Sequence, residues 1–181
     1  MNALDFIKTA VRDYRVGAVI ASSRFIAEQI AHEIKPDYEY IVEYGAGDGA
    51  ITKEILARLP KRGKLIAVEI NKNFLYELKN IEDGRLIIHG GDVRLLAQQL
   101  THLGLPRIDA VVSGIPFSFL NSKERQEIVK RTHRALAPGG MFLVYQFSPF
   151  LVPLLKKYFS RVELRFAPLN FPPYFVMKAK K

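Results

Sequence analysis

The feature that most constrains this chain is a strand-like run that ends in three alternating glycines and opens onto a helix, Ile41-Val-Glu-Tyr-Gly-Ala-Gly-Asp-Gly-Ala-Ile-Thr52. Glycines at this spacing let the backbone turn tightly and come close to a bound group. In an open α/β sheet that turn sits at the C-terminal edge of the first strand, where ligands bind. The next strand-like run ends at Glu69, 20 residues after Gly49. A carboxylate there can accept hydrogen bonds from both hydroxyls of a ribose. The turn and the acid together predict a nucleotide-like site.

Spacing alone does not choose the cofactor, because Gly45, Gly47 and Ala50 also satisfy the dinucleotide pattern G-x-G-x-x-[G/A]. Asp48 places a carboxylate in the turn itself. It would repel a pyrophosphate but can tolerate a sulfonium cofactor bearing an amino group. Tyr174 and Lys178 have the Tyr-x-x-x-Lys spacing of a dehydrogenase pair. In a strand, however, four residues span roughly 13 Å, too far for both groups to serve one substrate.

Strand-like runs fall at Tyr40 to Tyr44, Leu65 to Ile70, Leu86 to Ile88, Ala110 to Ser113, Met141 to Phe147, Val162 to Phe166 and Tyr174 to Met177. Helical spacing recurs at Ile51, Ile55, Leu56 and Leu59, and again at Ile128, Val129, Ala135 and Leu136. The second helix has Asn121 or Ser122 as its cap, Glu124 in its first turn and Pro138-Gly139-Gly140 as its stop. Strands that alternate with helices imply a parallel sheet covered on both faces. Between Phe166 and Tyr174 lie only seven residues, enough for a hairpin but not for a crossover helix, so strand seven should be antiparallel. The expected architecture is therefore α/β, a Rossmann-like seven-stranded sheet with strands 1–5 parallel, an antiparallel last strand and helices on both faces.

At 181 residues, 49% of them hydrophobic and 25% charged, the chain reads as one globular domain over 1–181. There is no cysteine, hence no disulfide, thiolate metal site or cysteine nucleophile. The four histidines show no ligand spacing, and no metal is expected. With no signal pattern and no run of roughly 18 apolar residues, the expectation is a soluble cytoplasmic monomer. The net charge of +9 is unevenly placed: residues 1–120 carry 15 Lys/Arg and 15 Asp/Glu, whereas 121–181 carry 12 against 3. Such a field attracts phosphates, either of nucleic acid or of lipid headgroups, and also serves simply as a solubilising face.

Near the N-terminus, Phe6, Ile7, Ala10, Val11 and Tyr14 form one apolar stripe. The segment 1–35 is read as helical, either covering the site or contacting a membrane.

From Glu43 to Glu69 the chain resembles the class I S-adenosylmethionine-dependent methyltransferases, whose glycine motif has the form E-x-G-x-G-x-G. The resemblance implies a cofactor set of Glu43, Gly45, Gly47, Gly49, Glu69, Ile70, Asp92, Val93 and Ser113. In that set the glycines face the methionine part, Glu69 faces the ribose and Asp92 the adenine amino group. Asp92 also suits a helix N-cap. Further peptides, Val16 to Arg24, Val112-Ser-Gly-Ile-Pro-Phe117, Tyr145-Gln-Phe-Ser148 and Leu169-Asn-Phe-Pro-Pro173, look like those of the small bacterial phospholipid N-methyltransferases. This implies a lipid amine as substrate and a peripheral position on an anionic or zwitterionic phospholipid surface at the inner membrane. The ribosomal RNA adenine dimethyltransferases are similar too, but their acceptor motif begins with Asn where this chain has Ser113, and their additional helical domain has no counterpart here.

Methyl transfer is a displacement at a sulfonium carbon, so the protein has to align the partners and exclude water. An ethanolamine nitrogen, mostly ammonium at neutral pH, must first lose a proton. Tyr14, Ser113 and Tyr145 are the candidate catalytic groups. Gly114, Ile115, Pro116, Phe117 and Asn170 are the candidate substrate-binding residues, with backbone carbonyls of Ser113 to Ile115 holding the amine. The rings of Phe117 and Tyr145 either wall the site against a cationic headgroup or pack in the core.

Overall fold

The computed structural model describes residues 26–168 and 173–181. Tyr14, the apolar stripe, the peptide Val16 to Arg24 and Asn170 lie outside the described residues.

Seven strands form one mixed sheet: β1 Tyr40–Tyr44, β2 Lys64–Glu69, β3 Leu86–Gly90, β4 Ile108–Ser113, β5 Leu136–Gln146, β6 Arg161–Ala167 and β7 Tyr174–Lys180, in the order β3-β2-β1-β4-β5-β7-β6. The helices are α1 over 26–32, α2 Ala50–Arg58, α3 Lys72–Lys79, α4 Val93–Leu96, α5 Ser122–Ala135 and α6 Val152–Tyr158. Strands β1 to β5 pair in parallel, and β7 runs antiparallel to both β5 and β6. The short β6–β7 connection thus makes the hairpin expected of it, with Ala167 opposite Tyr174.

The two-residue period of the strands sorts their side chains onto two faces. Val42, Tyr44, Ile66, Val68, Val111, Phe142 and Val144 share a core with Val93, Leu96, Ile128, Val129 and Leu155 of α4, α5 and α6. On the other face, Ile41, Leu65, Ala110, Val112, Met141 and Leu143 pack with Ile26 and Ile30 of α1 and Ile51, Ile55 and Leu56 of α2. Both faces are therefore covered, and the central strands read as continuous apolar runs because neither side meets water.

Helix α5 starts with a full capping box: the Asn121 side chain accepts from the Glu124 amide and the Glu124 carboxylate accepts from the Asn121 amide. Its end departs from expectation. The helix stops at Ala135, and Pro138-Gly139-Gly140 lie inside β5. Leu136 already has extended dihedrals and pairs with Ile108, so strand pairing ends the helix before the proline is reached. Parallel order brings the C-terminal ends of β1, β2, β4 and β5 to one edge. The crevice between β1 and β4, where the chain winds outward in both directions, is the ligand position of such sheets.

Candidate cofactor and acceptor site

The glycine turn is pinned to its neighbour: the amides of Gly45 and Ala46 both donate to the Val68 carbonyl, at 2.9 and 3.1 Å. Gly45, Gly47 and Gly49 all have positive φ. Gly47 is the informative one. A Cβ placed there would meet nothing within 4 Å, so its left-handed backbone faces open space, as a ligand-facing turn requires.

Glu69 closes this cradle. One carboxylate oxygen accepts from the Gly47 amide at 2.9 Å, and the other accepts from the amides of Ile70 and Asn71 at 2.8 Å each. A carboxylate has about four acceptor positions, so capacity remains for a further donor. Glu43, one strand over, is fully buried and accepts from the Thr52 hydroxyl at 2.6 Å. Its other oxygen has no partner among the described residues. Burial pushes this carboxyl up to about 8, more than the Thr52 hydrogen bond lowers it, with Glu69 and Asp48 adding to the rise. At neutral pH Glu43 is therefore mostly protonated. Asp48 is exposed and accepts only from the amide of Ala50, at 3.1 Å.

Asp92 caps α4 by accepting from the Arg94 amide at 2.8 Å. The Arg94 guanidinium also grips both oxygens of that carboxylate and reaches Glu124 at 2.8 Å. These bonds hold Asp92 below the usual carboxylate range. Ile70 is 53% exposed at the rim. The Val93 side chain lies in the core, so only its backbone can face a ligand.

On the β4 side, Ser113 is buried, and its hydroxyl has no partner among the described residues. The Gly114 amide donates to the Tyr44 carbonyl at 3.0 Å, keeping the strand end in register with β1. Tyr145 lies directly across Gly114, where an added Cβ would overlap the phenol oxygen. The missing side chain lets Tyr145 lean from β5 toward the cradle. Its phenol is held well above the usual tyrosine value, first by burial and then by the charge of Glu43. It stays protonated at neutral pH. Ile115 touches Gly45 through its side chain, so the two loops meet. Pro116 opens the 3-10 turn Phe117–Phe119.

Phe117 corrects an expectation. The turn swings its ring under the sheet, where it is fully buried and meets Phe142 edge-on at 6.4 Å, so it is a core residue and walls nothing. At this edge the expected Tyr145 is joined by two rings that sequence reasoning missed, Tyr174 and Phe147. Tyr174 sits 6.0 Å from Tyr145 and 4.6 Å from Phe147, ring centre to ring centre, making an aromatic row at the ends of β5 and β7. The alternation of Tyr145 and Phe147 on one face is a usable signal, but the arrival of Tyr174 depends on the hairpin. Lys178, far down β7, pairs with Glu33 at 2.5 Å and takes no part. Among the described residues no three His, Cys, Asp or Glu gather in a metal-binding arrangement, and no helix is long and apolar enough to cross a membrane.

Residues 41–140 match the family model described as a methyltransferase domain. The ornithine lipid N-methyltransferase of Singulisphaera acidiphila is 32% identical over 136 residues, 74% of this chain and 71% of that protein. The ubiquinone/menaquinone biosynthesis C-methyltransferase UbiE of Ectopseudomonas mendocina is 26% identical over 131 residues, 71% of this chain but only 50% of that one. Among solved structures, the Burkholderia thailandensis 1,6-didemethyltoxoflavin-N1-methyltransferase, with 1,6-didemethyltoxoflavin and S-adenosylhomocysteine bound, superposes with a TM-score of 0.74. That match is 20% identical and covers 98% of this chain and 85% of that one.

Proposed function

The chain belongs to the class I S-adenosylmethionine-dependent methyltransferases, and within that family we propose that it methylates the amine of a phospholipid headgroup, of the kind that turns phosphatidylethanolamine into phosphatidylcholine. The observation that carries this reading is the aromatic row Tyr145, Tyr174 and Phe147 beside Gly114 and the open cradle at Gly47. Aromatic faces favour a small cation over a neutral group, and successive methylation makes the headgroup nitrogen permanently cationic. The similarity to a lipid amine methyltransferase over most of both chains supports the same acceptor class.

The residues present fit the cofactor. Glu69 has acceptor capacity left for ribose hydroxyls, the amide of Gly47 borders open space, and Asp92 meets the adenine amino group once Arg94 yields one of its bonds. The cofactor supplies the electrophilic methyl group, which leaves a neutral thioether behind. What remains for the protein is to place the nitrogen. The Tyr145 oxygen takes one of its N–H groups, with the carbonyls of Gly114 and Ile115 near it. The Tyr145 phenol orients the amine, and the proton departs to solvent at the site mouth.

The test is incubation with methyl-labelled S-adenosylmethionine and, separately, phosphatidylethanolamine vesicles, a quinone extract and total RNA. Label in mono-, di- and trimethylated phospholipid is expected. Label in quinone or RNA alone overturns the acceptor.

A further inference from the structure

Of the eight large apolar side chains exposed among the described residues, four, Phe119, Phe147, Leu164 and Phe166, lie toward the edge where four neighbouring strands end. Phe119 follows β4, Phe147 follows β5, Phe166 is the last residue but one of β6, and Tyr174 and Phe175 open β7 between them. Phe119, Phe147 and Phe166 are 40%, 57% and 56% exposed, and Leu164, one step down β6, is 48% exposed. Phe166 leans on Phe175 at 5.0 Å, ring centre to ring centre, on the face of the sheet opposite to the Phe147–Tyr174 pair, so aromatic rings flank the rim on both faces. With strands about 4.8 Å apart, the four ends span roughly 15 Å of rim. An apolar rim of this length on one edge is a contact surface more often than an accident.

Its charged border selects the partner. Helix α5 leaves the same edge and begins with exposed Lys123, followed by Arg125 over the ring of Phe150 at 5.2 Å. Neither forms a salt bridge among the described residues. Arg165, beside Phe166, is 62% exposed even while it reaches Glu33. Aromatics flanked by cations match a bilayer interface that contains anionic lipid, where rings lodge at headgroup depth and Lys/Arg pair with phosphates.

We propose that the β4-β5-β7-β6 rim, centred on Phe166 and Leu164, is the surface on which the protein seats on an anionic bilayer, with the acceptor cleft facing the lipid. This rests on the reading of a lipid acceptor. The geometry explains how a headgroup reaches the site without leaving its membrane: Phe147 belongs both to the exposed rim and to the aromatic row beside Gly114.

The chain has no tryptophan, so one substitution makes a clean reporter. Phe166→Trp is expected to shift its emission to the blue on mixed phosphatidylcholine–phosphatidylglycerol vesicles and to be quenched by bromine-labelled acyl chains. Ile87→Trp, near the opposite edge at the start of β3, is expected to do neither. Leu164→Ser with Phe166→Ser should weaken flotation with those vesicles about tenfold or more. Lys123→Gln should cost about fivefold, on anionic vesicles only. S-adenosylmethionine affinity by calorimetry should stay at the wild-type value in all of them. Emission of the Phe166→Trp variant that ignores vesicles, or a double variant that floats as well as wild type, overturns the proposal. Flotation and quenching as expected, with no label in any lipid, supports the docking surface and overturns the acceptor instead.

Discussion

The C-terminal edge of the sheet has two halves of different chemistry. Over β1 and β2 the surface is backbone and carboxylate: Glu69 gathers three amides, Gly47 faces open space, and Glu43 waits buried beneath. Over β4, β5 and β7 it is aromatic, with one buried hydroxyl at Ser113 that finds no partner among the described residues. Directional hydrogen bonds fix a cofactor atom by atom. On the proposed function, an aromatic row would hold a headgroup by shape and charge and tolerate its growth by a methyl group at each step.

The contrast is sharpest inside the first half, where two acids one strand apart behave differently. Glu69 is surrounded by amides, whereas Glu43 has one hydroxyl and an otherwise dry pocket. The folded chain keeps the Glu43 proton to about pH 8, while the unfolded chain releases it near 4.5. The folded state therefore holds the extra proton between those values, and stability falls as pH rises through that window. Glu43→Gln removes the titration and keeps an acceptor for Thr52. By urea unfolding the variant should exceed wild type by on the order of 3–5 kcal/mol at pH 9 and differ by about 1 kcal/mol or less at pH 5. Parallel pH profiles for the two proteins would mean that Glu43 is ionised in the fold.

Separability of the halves is tested at Gly114. An alanine there drives the Tyr145 phenol away from the cradle and leaves the Glu69 side untouched. We expect kcat/KM for the phospholipid acceptor to fall about 100-fold, as misplacement of a reacting group does, with S-adenosylmethionine affinity within about threefold. An equal loss in both would show that the loops over β1 and β4 act as one unit, which their contact through Ile115 makes a real alternative.

These two halves also differ in how far the sequence disclosed them. The cofactor half is local: glycine spacing and an acid at the end of the next strand are one-dimensional signals of one continuous βαβ unit, and β1 falls on its expected residues. The acceptor half is assembled by topology. Tyr174 reaches Tyr145 only because β7 inserts between β5 and β6, an order that alternation of strands and helices does not specify. Phe117 is unreadable for a related reason. Its neighbours Ile115 and Pro116 do border the site, but a 3-10 turn of three residues decides on which side of the sheet its ring falls. The stop of α5 shows the same limit, since a strand partner 28 residues upstream, Ile108, fixes where Leu136 turns extended.

The smallest effect gives the cleanest division between what a glycine does for folding and what it does for binding. Gly47 and Gly104 both have positive φ, at 57° and 71°, and a Cβ at either would meet nothing within 4 Å. Gly104 precedes β4 and is exposed near the opposite edge of the sheet. Alanine at either position carries the same left-handed strain, so each variant should lose about 1 kcal/mol in urea unfolding without ligand. Only at Gly47 does the new methyl group project where the proposed cofactor contact would form. Gly47→Ala should therefore weaken S-adenosylmethionine binding about tenfold by calorimetry, while Gly104→Ala leaves it unchanged. Matching stability losses with unmatched affinities would place the open space at Gly47 inside the binding site. Unmatched stability with matched affinities would reduce that glycine to a turn former and leave Glu69 alone to define the cofactor half.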